Sequence, residues 1–449
     1  MSSEWQTFQL GEVTKFSSGS TPSKQDPDFW NGEIPWVSAK DMKSFYLSGS
    51  EDKITEQALL EGAKIAKKGS VLLLTRGMTL LNDVPICLLR RDCSFNQDVK
   101  AIQAGSPALT SEYLPYLLLG HKTSLQSLVD LAGHGTGRLA TDLLLSLDVA
   151  LPSPQEQKAI AHILGTLDDK IELNRKTNET LEAMAKALFK SWFVDFDPVR
   201  AKVEGRPTGL PAEISDLFPD SFEDSELGEI PSGWRVFELG DCSLHIESGT
   251  RPKGGIDKNL AFGIPSIGAE SISPIGQFDF SKTKWVDAAF AQSAGRGWIQ
   301  NYDVALYKDG GKPGEFRPRT ALYGDGFPFD KAMVNEHVFL LRSSQLGQPY
   351  LYYLFNFDLV LAQIIHRGSS KGAQPGLNQE EVRTSSFVKP DKKVLDVFNL
   401  TIEPSIRKQL LLGKNCQVLS QLRDALLPKL ISGEIRIPDA EKMLEEVGI

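Results

Sequence analysis

Residues 155–193 read QEQKAIAHILGTLDDKIELNRKTNETLEAMAKALFKSWF, with no proline and a single glycine. Apolar and amide side chains recur along this segment in alternating steps of four and three, at Ile160, Leu164, Leu167, Ile171, Asn174, Asn178, Leu181, Ala185, Leu188 and Trp192. This is the heptad spacing of a coiled coil. About 39 helical residues would span roughly 58 Å, and a helix with such a stripe needs a partner to cover it.

A second segment, residues 403–427, carries the same alternation before Pro428 and supplies that partner. Its seam positions are Leu412, Asn415, Leu419, Leu422 and Leu426. We predict that the two helices pair antiparallel, with Pro428 ending the second one. Asn174, Asn178 and Asn415 either set the register of the seam at some cost in stability or lie on a solvated edge.

The chain on either side of the first helix is a repeat with an offset of about 230 residues. Trp5, Leu10, Gly11, Gly19, Pro22, Ile34, Pro35 and Ala39 recur as Trp234, Leu239, Gly240, Gly249, Pro252, Ile264, Pro265 and Ala269. Each copy contains short β-like runs (70–75 and 99–103; 304–307 and 338–341) and one apolar helical stretch. We therefore expect an α+β fold of two duplicated modules, related by a pseudo-twofold arrangement and separated by two long antiparallel helices forming a coiled coil.

The predicted boundaries follow from these patterns. They are residues 1–152 for the first module, 153–197 for the first long helix, 198–231 for an acidic proline-rich linker, 232–395 for the second module, 396–432 for the second long helix and 433–449 for an acidic tail. The segment 198–231 is equally compatible with an ordered crossing between the modules.

Composition limits the class of protein. A chain of 449 residues allows two to four domains. The net charge of −9 comes mostly from the acids of residues 213–229 and of the tail, so it does not exclude a DNA partner. No apolar run approaches the roughly 20 residues of a membrane span, and no secretory signal opens the chain, so we expect a cytoplasmic protein. Four cysteines without a C-x-x-C pair predict neither disulfides nor zinc.

Catalytic patterns are weak. Neither an Asn-Pro-Pro or Asp-Pro-Pro methyltransferase motif nor a phosphate-binding G-x-x-x-x-G-K-[ST] loop occurs. The glycine cluster 133–137 lacks a strand-to-helix context, which favours a plain loop over a phosphate site. Asp28 and Asp41 with Lys43 could hold Mg²⁺ in a nuclease, although Asp-x-Lys is common by chance. The six histidines show no metal-ligand spacing.

Binding chemistry is better represented, because loop-rich stretches of both modules combine cations with Ser, Thr, Asn and Gly. Arg, Asn and Gln read base edges, whereas Lys, Ser and Thr contact phosphates. Taken alone, each such loop is more often a solvated turn. The candidate DNA-contacting residues are Thr21, Lys24, Lys40, Lys43, Arg76, Asn82, Arg138, Arg251, Lys253, Lys308, Lys312, Arg317, Arg319 and Lys371.

Three motifs make the whole chain resemble the specificity subunit of a type I DNA restriction-modification enzyme. They are GEIPWVSAKD (32–41), LPSPQEQ (151–157) continuing through DDKI (168–171), and LRDALLPKLISGE (422–434). The resemblance implies two target-recognition domains, each reading half of a split double-stranded DNA sequence. It also implies helices that act as a ruler between the half-sites and dock the modification subunits.

The same resemblance implies a non-catalytic chain that binds no cofactor. S-adenosylmethionine, ATP and Mg²⁺ would belong to the partners, which are the modification subunits (two of them) and the restriction subunits. The resemblance does not identify individual base-reading residues in this sequence, because recognition domains of this family vary greatly. The alternatives are a specificity module of another modification-based defence system, a stand-alone Mg²⁺-dependent nuclease, or a scaffold that binds only protein.

Overall fold

The structure, a computed structural model, describes residues 5–132, 135–257, 260, 262–278, 283–324, 327, 329–371 and 375–446. The chain divides into two compact units. The first unit combines Met1–Lys170 with Leu419–Ile449, and the second comprises Ile171–Val418.

The first module is built from short strands and helices. Its elements are β1 (Gln6–Gln9), α1 (Leu10–Val13), β2 (Thr14–Ser18), β3 (Trp30–Val37), β4 (Tyr46–Leu47), β5 (Lys53–Ile54), α2 (Glu56–Leu60), β6 (Ile65–Ala66), β7 (Val71–Leu74), β8 (Arg76–Gly77), β9 (Ile86–Leu89), β10 (Cys93–Phe95), β11 (Val99–Ala104), α3 (Leu114–Gly120), α4 (Lys122–Ser127), β12 (Val129–Leu131), β13 (Gly137–Leu139), α5 (Thr141–Leu145) and β14 (Asp148–Leu151).

The rest of the chain contains the long helices and the second module. Its elements are α6 (Pro154–Phe193), α7 (Asp197–Val203), α8 (Ala212–Ser215), β15 (Phe222–Ser225), β16 (Gly228–Pro231), β17 (Arg235–Glu238), β18 (Leu244–Ser248), β19 (Ile264–Ile267), β20 (Lys284–Val286), α9 (Ala288–Ala294), β21 (Val304–Tyr307), β22 (Gly311–Lys312), β23 (Glu315–Phe316), β24 (Arg319–Leu322), β25 (Met333–Val334), β26 (Val338–Ser343), α10 (Gln348–Leu354), α11 (Asp358–Ser369), α12 (Gln379–Arg383), β27 (Ser386–Lys389), α13 (Lys392–Ser432) and α14 (Ile437–Glu446).

The two modules share one strand topology. The main sheet of the first module has the order β2-β11-β7-β9-β4, and that of the second has the order β18-β26-β21-β24. A parallel pair forms beside each main sheet, β3 with β10 and β19 with β25. Each module is closed by an antiparallel pair of its first and last strands, β1 with β14 and β17 with β27. The predicted α+β class and the duplication are confirmed.

Local sequence explains several of these elements. All four side chains of β7, Val-Leu-Leu-Leu, are buried, as expected for a central strand covered on both faces. Asp287 caps α9 by accepting from two backbone N–H groups, and Gly295 ends that helix in the left-handed region. Asn378 and Glu381 form a reciprocal capping box at the start of α12.

The long helices α6 and α13 pack together antiparallel. In the first unit, Asp168 of α6 accepts from Arg423 of α13 at 2.7 Å. In the second unit, the Ile171 carbonyl of α6 lies 3.6 Å from the Cys416 sulfur of α13. Because residue numbers rise along one helix as they fall along the other, the helices run in opposite directions, as predicted.

Most of the predicted seam is buried, including both asparagines of α6. The buried members are Ile160, Leu164, Leu167, Ile171, Asn174, Asn178, Ala185, Trp192, Leu412, Leu419 and Leu426. Asn178 donates to the Ile275 carbonyl at 3.1 Å, so it holds a loop of the second module against α6. The solvated-edge interpretation is therefore wrong for Asn174 and Asn178.

The seam prediction is wrong at Asn415, and three other predicted positions are less buried than the rest. Asn415 is exposed, and Leu181, Leu188 and Leu422 are only half-buried. On α13 the inward positions are Cys416 and Arg423, because the steps from Leu412 run four and three instead of three and four. On α6 the inward positions are Glu182 and Phe189, which meet Tyr353 and Phe398 of the second unit.

The start of α13 and its course through Pro428 also differ from the prediction, whereas its end agrees with the predicted boundary at residue 432. The helix begins at Lys392 and continues through Pro428 to Ser432. Proline removes one backbone donor and crowds the preceding turn. Pro428 is exposed, while Leu426, Leu430 and Ile431 around it are buried. Burial of these neighbours offsets the lost hydrogen bond and keeps the helix intact.

The acidic segment after α6 is ordered. It folds into α7, α8 and the β15–β16 hairpin, and Phe218 within it is buried against Trp192 with ring centroids 5.1 Å apart. This favours the ordered crossing over a plain linker. The tail likewise contains α14, which buries Ala440 and Leu444. No helix in the described part of the chain is long and apolar enough to cross a membrane.

Candidate nucleic-acid interface

The first candidate loop of each module leaves the main sheet at a glycine that admits no side chain. A Cβ on Gly19 would lie 2.1 Å from the Phe95 carbonyl oxygen, and one on Gly249 would lie 1.7 Å from that of Val334. Both carbonyls belong to the strand of the parallel pair. The tight passage directs a polar loop outward at equivalent places, where Thr21 and Lys24 follow Gly19 in one module, and Arg251 and Lys253 follow Gly249 in the other.

Beside each of these loops, an asparagine shapes the turn that ends the parallel-paired strand. The Asp98 amide donates to Asn96 Oδ1 at 3.1 Å, and the His337 amide donates to Asn335 Oδ1 at 3.0 Å. The sequence patterns above did not single out these two asparagines. The sequence repeat did not indicate them, because the two asparagines are 239 residues apart and the matched positions of the repeat have an offset of about 230.

The candidate residues of the first module are exposed but differ in their partners. Lys40 Nζ lies 3.1 Å from Glu51 Oε2 and 3.0 Å from Asp52 Oδ2, so two carboxylates already neutralise it. Thr21 donates to Gln97. The remaining candidates, Lys24, Lys43, Arg76, Asn82 and Arg138, are exposed. Of these, the structure brings Arg76 and Arg138 together as register partners on two paired strands.

In the second module, five side chains form a continuous polar network. They are Arg251, Glu336, His337, Asp309 and Lys308. Arg251 Nε lies 3.0 Å from Glu336 Oε1, and the same oxygen lies 3.2 Å from His337 Nε2. The other ring nitrogen of His337 lies 2.8 Å from Asp309 Oδ2, which Lys308 Nζ also approaches at 2.8 Å. The fold therefore joins the predicted Arg251 and Lys308 through acids and a histidine that sequence alone did not connect.

Two open clefts meet at this polar network, and both are lined by His337. One, of about 380 Å³, is lined by Arg251, Ile256, Asp257, Leu260, Thr283, Lys284, Trp285, Asn335, Glu336 and His337. The other, of about 460 Å³, is lined by Tyr307, Asp309, Gly310, Gly311, His337, Lys371, Pro375, Gly376 and Leu377. An indole, an amide and cations around one concave surface can both stack on bases and hydrogen-bond their edges.

The other candidates of the second module lie on or beside the β22–β23 hairpin and near α12. Lys312 is exposed at the hairpin, and Arg317 pairs with Glu315 at 2.6 Å. The Arg319 guanidinium lies 4.9 Å from the centre of the Tyr307 ring. Lys371 pairs with Glu381 at 2.6 Å. Of the glycine-loop positions, Gly133, His134 and residues 372–374 lie outside the described residues.

The hydrogen bonds of Asp41 argue against the nuclease interpretation. Asp41 accepts from the Ser38 amide and the Glu51 amide, both at 2.9 Å, and from the Ser38 hydroxyl at 3.1 Å. This carboxylate therefore holds a turn together. Among the described residues, no group of three or more His, Cys, Asp or Glu side chains could hold a metal ion.

Comparisons with known proteins agree with this architecture. The family model "Type I restriction modification DNA specificity domain" matches residues 2–183. The MjaIX specificity subunit of Methanocaldococcus jannaschii is 29% identical over 446 residues, covering 97% of this chain and 94% of that protein. The HindI specificity subunit of Haemophilus influenzae is 22% identical over 495 residues, covering 96% of this chain and 100% of that protein.

The fold has a solved counterpart. The S subunit of a type I restriction-modification system from M. genitalium aligns with a TM-score of 0.54 and 14% identity, covering 95% of this chain and 96% of the other. The likeness therefore extends over the two modules and both long helices. In its duplicated topology and over nearly the whole length of these relatives, this chain is similar to the specificity subunits of type I restriction enzymes.

Proposed function

We propose that this chain recognises a split sequence in double-stranded DNA, with each module reading one half-site. The observation that carries the proposal is the repeated topology, in which the same glycine exit and the same asparagine turn place a polar loop at equivalent positions of both modules. The loops themselves differ in sequence, as two readers of different half-sites require.

We further propose that the chain is non-catalytic and binds no cofactor. S-adenosylmethionine, ATP and Mg²⁺ would act on partner subunits, namely two modification subunits and the restriction subunits, in a prokaryotic cytoplasm. The structural role of Asp41 supports this over a stand-alone nuclease. A specificity module of a different modification-based defence system would share this DNA-binding role and differ only in its partners.

The test is to co-express the chain with its modification subunit and to sequence methylated bases across a genome, with the chain deleted as the control. We expect a two-part motif that disappears on deletion. Methylation that is unchanged by the deletion would contradict the proposal. Mg²⁺-dependent cleavage by the purified chain that is abolished by Asp41→Ala would support the nuclease instead.

Salt dependence of DNA binding gives a residue-level prediction. Each neutralised phosphate contributes about 0.9 to the slope of log K against log salt. Lys24 is exposed and has no ion pair among the described residues, so Lys24→Ala should reduce the slope by about 0.9 if it contacts a phosphate. Lys40→Ala is the matched control, because Glu51 and Asp52 already neutralise Lys40.

The measurement is binding of the assembled complex to a duplex carrying its site, at several salt concentrations. A smaller slope for Lys24→Ala together with an unchanged slope for Lys40→Ala is the expected result. Equal slopes for wild type and both variants would remove Lys24 from the contact surface.

A further inference from the structure

A small sheet at one edge of the first module carries two arginines side by side. Its strand order is β12-β13-β8. Arg138 of β13 is the register partner of Arg76 on β8, and on its other side it faces Asp130 of β12. Residues directly opposite one another point to the same face of a sheet. All three side chains are exposed, so one outward face carries both guanidinium groups.

The opposite face of this sheet prevents any slip of the register. A Cβ on Gly137 would lie 2.7 Å from Leu80 Cβ and 3.2 Å from Val129 Cγ1, and Leu139 is buried. A shift by one residue would turn the arginine into this space, because neighbouring residues of a strand alternate faces. The two arginines are therefore held opposite each other by packing behind them.

This arrangement does not help the module to fold. Like charges directly opposite each other destabilise a strand pair. Among the described residues, neither Arg76 nor Arg138 has an ion pair within 4.0 Å or a side-chain hydrogen bond. Asp130 is the one acid in the register, so the face keeps a net positive charge.

The second module shows that the fold does not require the arginines. The Leu139 amide donates to the Thr75 carbonyl at 2.9 Å, and the Leu377 amide donates to the Lys308 carbonyl at 2.8 Å, so these contacts are equivalent. The bridge that corresponds to Arg76 and Arg138 is then formed by Asp309 and Gly376. The same backbone bridge thus pairs two arginines in the first module, and an aspartate and a glycine in the second.

We propose that Arg76 and Arg138 are specificity-determining residues of the first module and that each reads one guanine in its half-site. This proposal rests on the DNA-recognition function proposed above. Guanine presents two acceptors, O6 and N7, in the major groove, which match the paired N–H donors of a guanidinium group. The major groove also admits a β-ribbon. Phosphates offer acceptors too, but they carry no sequence information.

Lysine substitution separates the two kinds of contact. Lysine keeps the charge that a phosphate needs but loses the rigid planar fork that fixes two donors on guanine O6 and N7, so it is not a conservative replacement at a bidentate contact. The variants Arg76→Lys, Arg138→Lys and Arg76→Ala would be assembled with the modification subunits and their methylated sites sequenced. The control is Arg206→Ala, an exposed arginine of the second unit that is already paired with Glu204 at 2.6 Å.

We expect each variant to lose preference at one guanine of the first half-site by roughly 5- to 150-fold, the range for a bidentate base contact, with the second half-site unchanged. Uniformly weaker methylation without a change of motif, restored by lysine, would show phosphate contacts and overturn the proposal. An unchanged motif and an unchanged rate would overturn it as well. Absence of any split motif with the wild-type chain would instead refute the DNA-recognition function.

A second measurement covers variants that methylate too weakly to sequence. Binding of the complex would be compared on duplexes in which single guanines carry 7-deazaguanine, which lacks N7. Wild type should lose affinity at two guanines of the first half-site, and the Arg76→Ala and Arg138→Lys complexes should each be insensitive to the substitution at one of them. Equal sensitivity of wild type and variants at every guanine would overturn the proposal.

Discussion

Replacement of Gly249 by alanine is expected to destabilise the second module strongly, and replacement of Gly19 by alanine the first. The added methyl group would lie 1.7 Å from the Val334 carbonyl oxygen in one case and 2.1 Å from that of Phe95 in the other. Because the obstacle is backbone in a sheet, no side chain can move aside. We expect a loss of about 3 kcal/mol or more, at the upper end of overpacking substitutions.

Alkylation of the buried cysteines can show which of the two modules unfolds. Burial raises the pKa of Cys87 to about 12 and that of Cys93 to about 11 in the first module, and burial also raises the pKa of Cys242 in the second. Thiols with a raised pKa contain little thiolate and react slowly until they are exposed. In Gly249→Ala, alkylation should accelerate at Cys242 and stay slow at Cys87 and Cys93. Gly19→Ala should give the converse.

The control is Gly49→Ala, because a Cβ on Gly49 meets nothing within 4 Å. This variant should retain wild-type protection of all the buried thiols. If Gly49→Ala destabilises the chain as much as Gly19→Ala, or if Cys242 stays protected in Gly249→Ala, the steric explanation is wrong.

The second large loss of stability is expected on breaking the ion pair that joins α6 to α13 within the first unit. Asp168 is 4% exposed and accepts from Arg423 at 2.7 Å. Arg423→Met would leave a buried carboxylate without its counter-charge. We expect a loss of about 3 kcal/mol, the lower end of the range for broken buried pairs, because the Arg423 side chain remains 23% exposed.

This loss should depend on pH with a definite sign. Burial raises the pKa of Asp168, and Arg423 opposes that rise. Without Arg423 the folded-state pKa rises further above the unfolded value, so the folded protein binds the proton more tightly. The deficit of Arg423→Met relative to wild type is therefore full above the folded-state pKa of Asp168 in the variant, and it shrinks as the pH falls towards the lower folded-state pKa of Asp168 in the wild type. Denaturant unfolding at several pH values measures it.

Two variants complete the test. Asp424→Asn removes an acid that contacts the same guanidinium group at 2.7 Å but is 63% exposed, and it should cost less than about 1 kcal/mol. The double variant Asp168→Asn with Arg423→Met should recover much of the loss, since no charge remains buried. An equal cost for Asp424→Asn and Arg423→Met would show that burial is not the cause.

Prediction from sequence worked where the signal is periodic or repeated. Ile160, Leu164 and Leu167 lie in the seam, because apolar spacing over several heptads is insensitive to local detail. It was wrong at Asn415, which is exposed, whereas the neighbouring Cys416 contacts the partner helix. A helix of 3.6 residues per turn drifts from a 3.5-residue repeat, so contacts with a partner decide which neighbour faces inward.

Candidate contact residues were harder to rank, because exposure and partners depend on distant segments. Lys40 and Lys24 look alike in the sequence, yet Lys40 is paired with Glu51 and Asp52. The pairing of Arg76 with Arg138 joins residues 62 positions apart, and β8, which carries Arg76, is an edge strand of only two residues. Neither the ion pairs of Lys40 nor the pairing of the two arginines produces a periodic pattern in the sequence.

The sequence by itself determined the duplication, the α+β class and the long helices, because repeats and heptads are written in the order of residues. Only the tertiary structure decided which asparagines are buried, that Asp41 holds a turn, and that two arginines share one face beside a glycine that admits no side chain. These features arise from packing between segments far apart in the chain, where a single atom's space or charge selects one arrangement.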